Sequence, residues 1–200
     1  RDYWMSRKTW DRRALPWPES RKQELLQATN EDAIPATIHP RYGILVSHTL
    51  NRVMPTDEAA FGSQTSWLDM LQSTSLESGM PVAVLHRSAD GDWLYVKSEL
   101  SFGWVPAVNV AESSVKKIRH LSEAGDFIVA IDHRVPVYSD NQFSLFLTHI
   151  YLGTKVKLES NGSEGFRVVV PFRREDGSLD AVRGWIKPDY DDSRWLDITV

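Results

Sequence analysis

The sequence predicts an all-β protein made of two small antiparallel barrels in tandem, preceded by an N-terminal arm. The first observation is that residues 79–109 contain short apolar runs separated by turn residues, which is typical of strands in a small twisted barrel. The second is that three motifs recur in the same order about 80 residues later. Two copies indicate tandem domains, because a solenoid needs at least three repeats to bury a continuous core.

Three strands of the first barrel are expected within residues 79–109. Apolar runs and turns alternate there in the order Met80–His86, Ala89–Gly91, Asp92–Ser98, Ser101–Gly103 and Trp104–Pro106. Gly91 is expected at the positive φ that a tight hairpin requires. In the second run, alternation places Trp93, Tyr95 and Lys97 on one face of the strand and the aliphatic residues on the other.

The first 33 residues are polar and are expected to form an arm rather than a core. Their aromatic side chains are Tyr3, Trp4, Trp10 and Trp17. Glu19–Ala28 is predicted to be a short helix with Leu25 and Leu26 on its apolar side. The aromatic side chains of the arm are expected to dock on a neighbouring part of the protein. A disordered tail is the alternative, although so many tryptophans disfavour it.

Two further segments carry local predictions. Ser66–Gln72 is expected to form one or two helical turns, with Ser66 as the N-cap. Ser113–Ala124 is charged and is expected to connect the two barrels.

The internal repeat rests on three pairs of matching segments. They are Asn51–Phe61 with His133–Phe143, Gly79–Leu85 with Gly153–Glu159, and Gly103–Val105 with Gly184–Ile186. The second copy has a shorter middle and a longer hairpin, which turns through Asp176-Gly177.

Composition excludes several functions. The formal net charge of −4 gives no basic field for nucleic acid. There is no apolar run of roughly 18 residues, so no membrane span is predicted. The chain has no cysteine, which excludes disulfides, thiolate metal sites and a cysteine nucleophile. The six histidines lack metal-binding spacing, and no phosphate-binding glycine loop is present, so no metal and no cofactor are expected.

Several motifs resemble bacterial SH3 domains. RVMPT (residues 52–56), GMPVAVLHRSADGDWLYV (79–96) and GWVPAVNVA (103–111) look like the first bacterial SH3 domain of NlpC-type cell-wall peptidases. LGTKVKL (152–158) and VVVPFRREDGSL (168–179) look like the second SH3 domain of those proteins. The resemblance implies two SH3-like barrels and three regions: an arm at 1–34, a first domain at 35–115, and a second domain at 116–200 that leads into a missing catalytic domain.

The resemblance also implies a function. In that family a papain-like domain with Cys and His follows the SH3 domains and cleaves peptidoglycan stem peptides. Because this chain has no cysteine, we expect a non-catalytic module that binds peptidoglycan and positions substrate for a γ-D-glutamyl-L-diamino acid endopeptidase-like hydrolase. The expected partners are stem peptides and a papain-like catalytic domain, in cis or in trans. The expected location is the periplasm or the extracellular side of the cell envelope.

Five residues are candidates for ligand binding. Trp93 follows the DGD turn, where the resemblance implies a groove-lining tryptophan, and Tyr95 lies on the same face of its strand. Arg52, Thr56 and Asp57 belong to a polar loop that the family architecture turns toward the catalytic domain. An Arg beside an Asp could read the carboxylates and amines of a stem peptide by charge-assisted hydrogen bonds. The alternative for Arg52 is an exposed salt bridge to Asp57 or Glu58, and for Trp104 a place in the core.

Two other functions remain as alternatives. A stand-alone scaffold could bind a protein partner through the arm. A hydrolase acting alone would need Ser47-His48 and Asp132-His133 as parts of a triad, yet neither pair lies in a nucleophile-elbow motif. Proline-rich peptide recognition is disfavoured, because Asn109 stands where SH3 domains of that type place a tyrosine.

Overall fold

The computed structural model describes residues 5–123, 125–188 and 195–197, the last three by their backbone alone. Two helices are described, α1 (Glu19–Ala28) and α2 (Val115–Ser122), with short 3-10 turns at Glu31–Ala33 and Ala107–Asn109. Neither helix has the length or the apolar character to cross a bilayer. Strands make up most of the regular structure, so the all-β prediction is confirmed.

Fourteen strands are described. Those of the first copy are β1 (Arg41–Leu45), β2 (Thr49–Arg52), β3 (Gln72–Leu76), β4 (Pro81–Arg87), β5 (Trp93–Lys97), β6 (Phe102–Pro106) and β7 (Val110–Glu112). Those of the second copy are β8 (Phe127–Ala130), β9 (Arg134–Tyr138), β10 (Phe146–Tyr151), β11 (Lys155–Gly162), β12 (Gly165–Arg173), β13 (Leu179–Ile186) and β14 (Trp195–Asp197).

The two sheets have the same strand order, which confirms the internal repeat. The first runs β3-β2-β6-β5-β4-β1-β7 and the second runs β10-β9-β13-β12-β11-β8-β14. Even the irregularities coincide, because β4 has a register shift between Val84 and His86 and β11 has one between Leu158 and Ser160. One motif match is displaced. The sequence match aligns Arg52 with Arg134, and Arg52 pairs with Trp104 in the first sheet. In the second sheet, however, the residue that pairs with Trp185 is Tyr138 rather than Arg134.

Backbone hydrogen bonds repeat as well. Gly79 N donates to Leu45 O at 2.8 Å, and Gly153 N donates to Ala130 O at 2.7 Å. The glycine of each GW motif is required by close approach of the neighbouring strand. A Cβ on Gly103 would lie 1.7 Å from Asn51 Oδ1, and one on Gly184 would lie 2.4 Å from Val137 Cγ1. The repeated motifs therefore mark positions that the fold itself constrains.

Contact density groups the described residues into two compact units. Unit 1 holds the residues up to Pro40, Leu50–Ser75 and Ala83–Ala107. Unit 2 holds Arg41–Thr49, Leu76–Val82 and the residues from Val108 onward. The three-region division at residues 34 and 115 stays a prediction.

The arm packs inside unit 1, and its helix lies where the sequence predicts it. Leu25 of α1 is 2% exposed and clusters with Trp17, Met54 and Leu71. Trp17 Nε1 donates to the carbonyl of Ala59 at 3.3 Å, which satisfies the polar atom of a buried indole. Docking of the arm is therefore confirmed for Trp17, whereas Tyr3 and Trp4 lie outside the described residues.

The predicted helical turns at Ser66–Gln72 are wrong. The segment is a loop that enters β3 at Gln72. Ser66 Oγ accepts a hydrogen bond from Leu68 N, and Asp69 Oδ1 accepts from Leu71 N. Short polar side chains that bond to nearby amides in this way compete with helix formation.

The charged connector contains a helix that the sequence analysis missed. Ser114 caps α2, because its Oγ accepts a hydrogen bond from Lys117 N at 3.3 Å. Ile118 of α2 packs with Ile44, Ala111 and Leu179 in unit 2. The larger core of unit 2 is aliphatic and consists of Ile128, Ala130, Val135, Val137, Ile150, Val156, Val168, Val170 and Ile186.

Candidate functional site

Arg52 is the centre of a buried network of hydrogen bonds in unit 1. It ends β2 and is 2% exposed. Its guanidinium donates to Thr56 O at 3.0 Å, to Glu58 O at 2.5 Å and to Asp69 Oδ2 at 2.6 Å. The ion-pair partner is thus Asp69, not Asp57 or Glu58. A planar guanidinium with donors in a fixed fork suits such a convergence of acceptors.

Asp69, at the other end of the loop, completes this hydrogen-bond network. Its Oδ1 accepts from Ala60 N at 3.0 Å and from Leu71 N at 2.9 Å, while its Oδ2 accepts from Arg52. The side chains of Arg52 and Asp69 are 3% and 14% exposed. Residues 53–71 are therefore held at both ends by one buried ion pair.

The other two loop candidates differ in exposure. Thr56 is buried, and its Oγ1 accepts from Glu58 N at 3.1 Å. Asp57, between them, is exposed. The structure thus brings Arg52 and Thr56 together beneath the loop and leaves Asp57 on its surface.

A row of side chains crosses four neighbouring strands of unit 1. Arg52 on β2 pairs with Trp104 on β6, Trp104 pairs with Tyr95 on β5, and Tyr95 pairs with His86 on β4. Directly paired residues project from the same face of a sheet. We call Arg52, Trp104, Tyr95 and His86 the cross-strand row.

Aromatic contacts join the row. The rings of Tyr95 and Trp104 meet edge to face at 5.3 Å, and those of His86 and Trp104 lie 6.1 Å apart. Trp104 is 5% exposed, as a core position requires, whereas Tyr95 and His86 are half-buried. His86 Nε2 lies 3.0 Å from both Thr29 O and Asn30 O, so it carries the ring proton and donates to these carbonyls. Tyr95 and His86 are therefore the members of the row within reach of a ligand.

Trp93 is placed by the turn that precedes it. Gly91 has φ of 82°, as predicted. Ser88 Oγ accepts from Trp93 N at 3.0 Å and donates to Asp90 Oδ1 at 2.5 Å. The Ser88 hydroxyl and the Asp92 amide lower the pKa of Asp90. Trp93 itself is 9% exposed and pairs with Pro106, so most of its ring is covered.

The residues considered for a lone hydrolase have other partners. Ser47 Oγ donates to Asn109 Oδ1 at 2.9 Å, and His48 Nδ1 lies 2.9 Å from Glu77 Oε1. Asp132 Oδ1 accepts from the backbone amide of His133 at 2.7 Å. Within the described ranges, no group of three or more acidic, His or Cys side chains is arranged to hold a metal ion.

Sequence reasoning missed Asp69 and His86 as parts of this site. Asp69 lies in the segment mistaken for helix, and nothing in the local pattern links it to Arg52, 17 residues earlier. His86 could have been found from strand pairing, because it ends the apolar run opposite Tyr95.

Comparisons with known proteins show a match to a family model and a likeness to a solved structure. Residues 64–106 match the family model of an SH3 domain of the SH3b1 type. The structure is similar to an NlpC/P60 endopeptidase from Photobacterium damselae subsp. piscicida, with a TM-score of 0.77 and 18% sequence identity. That match covers 98% of this chain and 42% of the other, so the chain spans less than half of the endopeptidase's length. A search of the curated proteins found no match.

The family match covers β3–β6 and so includes Trp93, Tyr95 and Trp104. The structural match extends the likeness of fold over nearly the whole chain. The resemblance drawn from the sequence is thereby confirmed: the chain has the fold of tandem bacterial SH3-like barrels, similar to that in an NlpC/P60 endopeptidase.

Proposed function

We propose that this chain is a non-catalytic module of the bacterial cell envelope that binds peptidoglycan stem peptides and positions them for an NlpC-type papain-like catalytic domain, in cis or in trans. The observation that carries the proposal is the match of residues 64–106 to an SH3b1-type domain, because that segment bears Tyr95, which is half-buried on the cross-strand row. The similar protein is an endopeptidase more than twice as long as this chain, which leaves room there for a catalytic domain.

The five candidate residues take different roles in this proposal. Asp57 and Tyr95 contact the ligand, because one is exposed and the other half-buried on the cross-strand row. Arg52 and Thr56 hold the loop of residues 53–71 in position, since Arg52 donates hydrogen bonds to the carbonyls of Thr56 and Glu58. Trp93 forms an apolar wall beside the turn. A stem peptide offers amines and carboxylates, and the Asp57 carboxylate would accept from an amine.

The chain is proposed to act in the periplasm or outside the cell, where its ligand is found. The scaffold alternative is weaker, because Trp17 of the arm is buried within unit 1 and so is not available to a partner. The lone-hydrolase alternative is weaker too, because Ser47 and His48 bond to Asn109 and Glu77 rather than to each other.

Chemical-shift mapping with a soluble stem peptide, L-alanyl-γ-D-glutamyl-diaminopimelate, tests the proposal. We expect shifts at Asp57 and Tyr95. Asp57→Asn should weaken binding by about threefold to fivefold, since an exposed ion pair contributes at most about 1 kcal/mol. Glu99→Gln is the matched control, because Glu99 is also an exposed acid of unit 1. Equal loss in both variants, or shifts confined to unit 2, would contradict the assignment.

A further inference from the structure

A second group of aromatic side chains, entirely within unit 2, consists of three residues on one face of β10 and His48 from the segment between β1 and β2. A register shift after Phe146 turns that residue to the same face as His149 and Tyr151. Ring centroids follow at 4.5 Å from Phe146 to His149, 6.5 Å from His149 to Tyr151, and 4.9 Å from Tyr151 to His48. We call these four residues the β10 aromatic row.

The row lines a cavity. Its volume is about 220 Å³, and Ser47 and Thr148 add hydroxyl groups to the wall. The cavity is smaller than the roughly 300–1,000 Å³ typical of sites for drug-sized ligands, so it suits a single small ring. Phe146 is 55% exposed at its mouth.

Hydrogen bonds fix which ring nitrogen of each histidine carries a proton. Arg134 Nη2 lies 3.0 Å from His149 Nδ1, and a guanidinium can only donate, so Nδ1 accepts and the proton of the neutral ring is on Nε2. His48 Nδ1 lies 2.9 Å from Glu77 Oε1, and a carboxylate oxygen accepts, so Nδ1 carries a proton and donates to Glu77. Burial and the nearby charge of Arg134 lower the pKa of His149, which keeps that ring neutral.

The cavity therefore offers one N–H donor at His149 Nε2, a second polar ring nitrogen at His48 Nε2, and the ring of Tyr151 between the two histidines. The charges behind them, Arg134 and Glu77, have opposite sign and are each hydrogen-bonded to an imidazole. This combination fits a neutral ligand with an apolar face and one secondary amide. An acetamido group carries both a carbonyl and an N–H, so it can bond to the donor at His149 and to the ring nitrogen of His48.

We propose that the β10 aromatic row binds an N-acetylated aminosugar ring of a glycan. The apolar face of the sugar packs on Tyr151, and the acetamido group bonds to His149 and His48. This site lies in unit 2, whereas the residues proposed for stem-peptide binding lie in unit 1, so each proposal can fail without the other.

The test uses the full chain and a β-1,4-linked tetramer of N-acetylglucosamine, with binding followed by calorimetry and by amide and ring chemical shifts. We expect shifts at His48, His149 and Tyr151. The corresponding glucose tetramer, which lacks acetamido groups, should bind at least about tenfold more weakly, because both imidazoles then lose a partner.

Tyr151→Leu should weaken binding of the tetramer by about tenfold, since it removes the central ring. Trp67→Leu is the matched control, because Trp67 is an aromatic residue of unit 1 that is 88% exposed, and it should leave binding unchanged. If Tyr151→Leu does not fold, His48→Ala replaces it, because His48 is only half-buried.

Three results would overturn the proposal. One is equal affinity for the two tetramers, and another is normal affinity in a folded Tyr151→Leu or His48→Ala variant. The third is a stem peptide, rather than the sugar, shifting the residues of the row. The stem-peptide titration of unit 1 is a separate measurement, so these results leave the first proposal standing.

Discussion

Removal of the Asp69 carboxylate should destabilise unit 1 more than any surface change of the same size. The side chain of Arg52 is only 3% exposed, so Asp69→Ala leaves its guanidinium buried without an ion-pair partner. Breaking a buried pair in this way costs about 3–5 kcal/mol. The amides of Ala60 and Leu71 also lose their acceptor. Because these effects overlap, we expect a total loss of about 3–5 kcal/mol rather than their sum.

Hydrogen exchange at single amides is the appropriate assay. The chain has two compact units, so a denaturation curve need not follow one two-state transition. In Asp69→Ala, the amides of Ala60 and Leu71 should exchange much faster, together with those of the loop that Arg52 holds. Glu99→Ala, an exposed acid in the same unit, should change stability by no more than about 0.5 kcal/mol.

Asp69→Asn separates charge from hydrogen bonding. The amide oxygen can still accept from Ala60 and Leu71, but the negative charge opposite Arg52 is gone, so we expect an intermediate loss. The reasoning is refuted if Asp69→Ala costs less than about 1 kcal/mol, because the buried guanidinium would then not depend on this partner.

Four other predictions follow from the described contacts. Gly91→Val should lower stability by at least about 1 kcal/mol in thermal melting, because Gly91 has φ of 82°; an unchanged melting temperature would count against the turn. Trp17→Ala should cost about 3–5 kcal/mol by loss of a buried ring, with exposed Trp67→Ala as the near-neutral control. Hydrogen bonds from Ser88 and the Asp92 amide hold the pKa of Asp90 in the folded chain below that of a free aspartate, so its stabilisation is present above the unfolded pKa and is lost as the pH falls through the folded pKa. Asp90→Asn should therefore reduce the acid sensitivity of melting, and an identical pH dependence would contradict this. The purified chain should release no product from muropeptides in mass spectrometry, because it has no cysteine; cleavage that survives purification would reject a non-catalytic role.

The strand pattern was predictable because the repeat and the turn residues both report on backbone geometry. The close approach at Gly103 and Gly184 excludes any side chain, so each GW motif marks the same crossing in both copies. Helix α1 was predictable from its composition. The loop at Ser66–Gln72 was not, because its apolar spacing imitates a helix while Ser66 and Asp69 bond to local amides. Helix α2 was not predicted because its segment is strongly charged, although Ser114 could have been recognised as its N-cap.

The candidate site was only partly predictable, because burial depends on the whole fold. The sequence singled out Arg52 as a loop residue, yet its partner Asp69 comes from the far end of the same loop. A sequence pattern cannot distinguish an arginine that meets a ligand from one that fastens a loop. Tyr95 and Trp93 were placed on one face correctly, but only the structure distinguishes the half-buried ring from the covered one.

The two copies also show why a binding site in one copy does not imply an equivalent site in the other. In the first copy Trp104 is flanked across the strands by Arg52 and Tyr95, whereas in the second Trp185 is flanked by Tyr138 and Arg167. Arginine and tyrosine have therefore exchanged sides around a tryptophan that both copies retain. The exchange changes the function of the arginine. Arg52 is buried and holds a loop, while the Arg167 side chain is 41% exposed and its guanidinium lies 5.5 Å from the Trp185 ring. The tryptophan that both copies share thus marks the same strand pairing in each, and any recognition by these rows has to come from the residues that differ beside it.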